Sequence, residues 1–108
     1  MANSFKFKGV ALATGSETAL LTAASDETII IKSIRVTNNT SNTPTLSFDV
    51  SDSSASTEYT ILKTQTLAAN TAVEILSVPL ILEASDALKA TVSSSDSVHF
   101  GISYMSVT

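Results

Sequence analysis

The chain has 108 residues, no cysteine, six basic against ten acidic residues and a net charge of −4. That length makes one domain with one core. The missing thiols exclude a disulfide framework or a thiolate metal site, and the acidic balance removes the attraction on which nucleic-acid binding depends. Only 15% of the residues are charged while 44% are apolar, so the polar surface rests on 18 serines and 15 threonines, a surplus that suits exposed strand faces and turns rather than helices.

In chain order, "SFKFKG" alternates Phe5 and Phe7 with Lys6 and Lys8. Two readings stay open: the first strand of the domain itself, or an arm, residues 1–8, that adds to the sheet edge of a neighbouring subunit. Either way Phe5, Lys6, Phe7 and Lys8 are the candidate assembly contacts, because lysines, the usual protection of strand edges, are few. The segment has no sustained apolar stretch, and no run in the chain approaches 18 apolar residues. The expectation is a protein that is made and folded without crossing a membrane.

"TALLTAAS" reads as a strand or a short helical turn. "TIIIKSIRVTN" is an aliphatic strand, and the Asn and Ser of "NNTSNTP" (38–44) mark a loop. "TLSFDV" sets Leu46, Phe48 and Val50 against Thr45, Ser47 and Asp49, the period of two of a half-buried strand. A second loop, "SDSSASTE" (51–58), leads into "EYTILKTQTL", whose Tyr59 is assigned to the core. "NTAVEILSVPLILEASDALKA" is rich in helix formers, but Pro79 inside a helix would cost about 3 kcal/mol, so it reads as strands. Val78, Leu80 and Leu82 end one of them, 83–86 form a tight polar turn in which Asp86 accepts hydrogen bonds from turn amides, and Leu88, Ala90 and Val92 begin the next. After a third loop, "SSSDS" (93–97), the last strand turns Val98, Phe100, Ile102 and Tyr104 inward and His99, Gly101, Ser103 and Met105 outward. Short strands at intervals of about ten residues predict an all-β fold, a single-domain antiparallel β-sandwich or jelly roll of about eight strands covering 1–108.

Catalytic chemistry finds little to build on. His99 is the only histidine and there are three glycines, which leaves no histidine pair, no phosphate cradle and no G-x-S-x-G elbow. Asp49 and Asp52 are a weak match to oxygen ligands for Ca²⁺, with no EF-hand spacing. The expectation is no enzyme, no cofactor and no metal.

From Thr18 to Val107 the landmarks come in a familiar order. "TALLTAASDETIIIKSIRVTNNTSNTPTLSFDV", "EYTILKTQTLAANTAVEIL" and "PLILEASDALKATVSSSDSVHFGISYMSV" together resemble small all-β virion proteins of tailed bacteriophages. In those proteins glycine commonly precedes the aspartate of the acidic turn, where this chain has Ser85. The resemblance implies a head decoration or cement protein that clamps neighbouring subunits of the major capsid protein, often as a homotrimer. It would sit on the outer capsid surface of the virion and be made in the cytoplasm of the bacterial host. A neck, tail or fibre component is the alternative within the virion. A carbohydrate-binding module is a third reading, disfavoured because the chain has no Trp to serve as a sugar platform.

Overall fold

The computed structural model describes residues 2–76 and 78–108. Among them are nine strands and no helix: β1 (Asn3–Leu12), β2 (Thr18–Thr22), β3 (Thr28–Asn38), β4 (Thr45–Asp52), β5 (Thr57–Thr66), β6 (Ala72–Glu74), β7 (Leu80–Leu82), β8 (Ala87–Val92) and β9 (Val98–Val107). Sheet I has the order β1-β9-β3-β6, with β7 also pairing β3, and sheet II has the order β2-β8-β4-β5. Every pairing is antiparallel. The chain passes between the sheets at almost every turn, which is the wrapping of a jelly roll with one strand split into β6 and β7. One side of the sandwich is bounded by β1 and β2, the other by β5, β6 and β7.

The core lies between the two inner faces. Phe48 of sheet II meets Phe100 of sheet I edge-on, with ring centroids 6.0 Å apart, a favoured aromatic geometry. Around them Leu46, Leu88 and Val92 of sheet II face Ile31, Ile34 and Ile102 of sheet I, all fully buried. In β3 the inward residues are Ile29, Ile31, Ile34 and Val36, a series that slips phase after Ile31. The ladder absorbs the slip with a bulge between Ile31 and Ser33, so one extra residue keeps both halves of an aliphatic strand on the same core. The Glu74 carboxylate fills the gap, accepting from the Ile34 amide at 2.8 Å and from the Ser33 hydroxyl.

"TALLT" is a strand, its Leu20 and Leu21 buried. The turn at 83–86 is as tight as expected, and Asp86 is buried: its carboxylate accepts from the amides of Glu83 at 3.0 Å and Ser53 at 2.9 Å. The same turn is stitched to the β2–β3 loop, since Ala23 donates to the Asp86 carbonyl and Ser85 to the Ala23 carbonyl.

Two core assignments are overturned. Tyr59 is 53% exposed and Val78 is 69% exposed. Tyr59 stands on β5, the outer strand of sheet II, which has a neighbour on one side only among the described residues, and Val78 precedes the three-residue β7, so neither is covered by the facing sheet. The loop expected at 51–58 shrinks to 53–56, because β4 and β5 run on to Asp52 and from Thr57. Asn38, read as a loop residue, ends β3 and is fully buried.

Candidate assembly surface

β1 pairs with β9 in unbroken register from Asn3↔Val107 to Leu12↔Val98. Its other edge meets no strand among the described residues. The register fixes which side of sheet I each residue occupies. Val10 and Leu12 stand beside Phe100 and Val98 and join the core, and Lys6 and Lys8 share that inner side beside Tyr104 and Ile102. Phe5 and Phe7 stand beside Met105 and Ser103 on the outer side. The two rings are 80% and 71% exposed. The four candidate contacts thus lie on one free edge strand, with the aromatic pair turned to solvent and the lysines on the core-side phase, beyond the packed core. Charges placed on that phase are a known guard against indiscriminate edge pairing.

Gly9 and Gly101 lie directly opposite each other across β1 and β9. The Phe7 ring leans over both: a Cβ on Gly101 would lie 3.2 Å from the ring, and one on Gly9 3.5 Å. Bare backbone at two facing positions leaves the ring room to rest over β1 and β9. Beside the ring runs an open trough of about 560 Å³, lined by Phe7, Arg35, Thr37, His99 and Ser103. His99 is on the outer side as its phase predicts, between Ala11 of β1 and Thr37 of β3.

The opposite side of the sandwich holds a second apolar region that the sequence did not announce. Tyr59 and Ile61 (42% exposed) lie on β5, whose outer edge also meets no strand among the described residues. A groove of about 200 Å³ runs between β5 and the β6–β7 segment, lined by Ile61, Leu62, Ile75, Leu76 and Val78. The signal was present in the broken alternation of "YTIL", where bulges between β4 and β5 displace Ile61 from a regular register, but such breaks do not say which side a residue takes.

Three carboxylates gather on the outer face of sheet II: oxygen atoms of Glu17, Asp49 and Glu58 lie within 4.8 Å of one another. Lys89 approaches Glu58 at 3.5 Å, the one ion pair of this cluster among the described residues. Glu17 is pushed above its ordinary pKa, first by loss of hydration, then by its hydrogen bond with Asp49 and repulsion from Glu58. Asp52, the other half of the Asp49 and Asp52 pair, turns to its own loop and accepts from the amides of Ser54 and Ala55.

No sequence-family model and no curated protein matches the chain. Among solved structures it is similar to a chain from the structure of infectious bursal disease virus Gx strain, with TM-score 0.57 and 13% identity over 96% of this chain and 32% of that one. It is similar to the nucleoplasmin-like N-terminal domain of Drosophila FKBP39, with TM-score 0.53 and 17% identity over 93% and 87% of the two chains. It is also similar to the Clostridium thermocellum xylanase 10B CBM22-1–GH10 modules complexed with xylohexaose, with TM-score 0.51 and 17% identity. That likeness covers 98% of this chain and 25% of the xylanase chain, so this chain spans a quarter of the xylanase and about a third of the viral chain. At these identities what is shared is the fold.

Proposed function

We propose that this is a non-enzymatic structural protein of a bacteriophage virion, a decoration or cement protein that binds the outer surface of the major capsid protein shell and stabilises it as a homotrimer. The observation that carries the reading is the β1 edge, a ten-residue strand open on one side with Phe5 and Phe7 held out in water. Scattered exposed apolar residues are ordinary on a soluble monomer, whereas two adjacent exposed aromatics on an open edge mark an interface. The likeness to a virus chain and the hydroxyl-rich, weakly charged exterior agree with that role. The only histidine of the chain, His99, has Ala11 and Thr37 as its register neighbours.

The test is co-sedimentation of the purified protein with phage capsids, comparing the native chain, a chain lacking residues 1–8, and Phe5→Ser/Phe7→Ser. Native protein is expected to pellet with capsids and both variants to stay behind by tenfold or more; equal pelleting of all three rejects the β1 contact, and no pelleting of the native chain rejects the shell as partner. A glycan-binding reading has one observation in its favour, the trough beside Phe7 with Arg35, Thr37 and His99 along it. Titration with xylohexaose, followed by chemical shifts of Gly101 and His99, decides it.

A further inference from the structure

Two of the open sheet edges of the sandwich, β1 and β5, match each other. We propose that this protein associates with itself head to tail, β1 of one copy adding antiparallel to β5 of the next in the register Phe5↔Ile61, Lys6↔Thr60, Phe7↔Tyr59, Lys8↔Glu58. The contact is between two copies of the chain and stands whatever particle the protein belongs to.

Three observations converge on this register. Both strands are ten residues long and, among the described residues, paired on one side only, so each offers a row of free backbone donors and acceptors, the element that strand addition uses. Each carries an exposed apolar pair two residues apart, Phe5 with Phe7 and Tyr59 with Ile61. In an antiparallel ladder directly opposed residues stand on the same side of the sheet, so this register sets Phe7 against Tyr59 as a cross-strand aromatic pair, and Phe5 meets Ile61, which the bulge between Thr60 and Leu62 carries out of the β4 ladder. The apolar groove beside Ile61 then lies under the incoming rings.

Charge selects the same alignment. That register sets Lys8 against Glu58, and Glu58 belongs to the cluster of Glu17, Asp49 and Glu58, in which Lys89 pairs with Glu58 at 3.5 Å. A second lysine from the neighbour meets an existing excess of negative charge. The symmetric alternative, β1 against β1 about Phe7, sets Lys6 opposite Lys8 twice, and like charges directly opposed are destabilising. Because the two edges bound opposite sides of one sandwich, the contact is heterologous and generates a closed ring where the rotation closes. The two phenylalanines bury roughly 150–250 Å² each, so the partner's groove and the strand backbones supply the rest of the about 1,200 Å² that a stable interface needs.

The absence of cysteine from the native chain allows a clean test. Cα atoms directly opposed in an antiparallel pair lie about 4.5–5.5 Å apart, within disulfide range. Phe7→Cys and Tyr59→Cys, purified separately and mixed under mild oxidation, are expected to form a mixed disulfide at least tenfold faster than Phe7→Cys with Thr60→Cys, whose residue takes the other side. All three positions are exposed, so folding is retained. In parallel, Lys8→Glu and Glu58→Lys are each expected to weaken self-association at least tenfold in sedimentation analysis, and an equimolar mixture to recover it through the exchanged pair. Faster homodimerisation of Phe7→Cys alone would establish the symmetric β1 contact and overturn the proposal. So would a native chain that stays monomeric at millimolar concentration. Both readings draw on β1, so Glu58→Lys, which leaves β1 intact, separates them: lost self-association with capsid pelleting retained supports this contact and leaves the capsid reading standing, whereas unchanged self-association overturns this contact alone.

Discussion

Asn38 closes β3 with its side chain fully buried. Its side-chain Nδ2 donates to the carbonyls of Asn42 at 2.8 Å, Ala68 at 3.2 Å and Leu67 at 3.3 Å, while its side-chain oxygen accepts from the backbone amide of Thr40 at 3.0 Å and from the Thr40 hydroxyl. One residue therefore ties the β3–β4 loop to the segment after β5. Asn38→Ala strands several of these groups together, and at about 1–3 kcal/mol for a buried polar group left unpaired the expected loss is about 2–3 kcal/mol, read from the urea midpoint. In the sequence Asn38 was one asparagine of "NNTSNTP", and nothing in a polar run says which member turns inward. Ser85 is the opposite case. The resemblance marked its place as one usually held by glycine, and its φ of 66° is left-handed, a conformation that strains an L side chain by about 1–2 kcal/mol and glycine not at all. Part of that gain is returned as entropy of the unfolded chain, so Ser85→Gly is expected to raise stability by about 0.5–1 kcal/mol in the same assay.

At the scale of elements, alternation told where most strands lie but not which face of β1 is inside. Phe5 and Phe7 make the obvious apolar face, yet Val10 and Leu12, of the other parity, are the residues that reach the core. The parity is set by the pairing partner: Phe100 must point inward from β9, and whatever stands beside it follows. The two halves of β1 therefore answer differently to mutation. Leu12→Ala removes a buried side chain and is expected to cost about 2–5 kcal/mol, whereas Phe5→Ser/Phe7→Ser removes exposed rings and is expected to change the unfolding midpoint by less than about 0.5 kcal/mol. A large loss in the second variant, measured at concentrations where the protein is monomeric, would show that the rings support the fold itself and would remove them from the assembly argument. β5 was located by its Thr, Tyr and Ile content, but its status as an edge was not legible, because strand order depends on contacts far apart in sequence.

Across the whole molecule, carboxylates do the fastening that disulfides do elsewhere, and this makes stability depend on pH in a definite sense. Glu27 joins the β2–β3 loop to β9, accepting from the Ala24 amide at 3.0 Å and from the Ser106 hydroxyl. The Ser106 bond, then the Ala24 bond, hold it below the ordinary 4.5. Glu74 joins β6 to the β3 bulge; partial burial opposes its ionisation, but the Ser33 hydroxyl and the amides of Ile34 and Leu76 outweigh that and again bring it below 4.5. A group with a lowered folded pKa contributes fully above its unfolded value and loses that contribution as pH falls through the folded one. Stability is therefore expected to hold from neutrality to about pH 4.5 and to decline below it, with Asp52 and Asp96, also lowered by their loop hydrogen bonds, adding to the decline. Glu17 runs the other way. Its raised pKa means that the folded state disfavours its charge, so its cost is present at neutral pH and is relieved on acidification. Urea midpoints at pH 7, 4.5 and 3 test both signs: Glu74→Gln is expected to lower stability at pH 7 and flatten the acid slope, while Glu17→Gln is expected to raise stability at pH 7 and change little at pH 3. Were Glu17→Gln instead to destabilise the protein at neutral pH, the three-carboxylate cluster would have to be held by Lys89 more firmly than a single exposed pair at 3.5 Å allows.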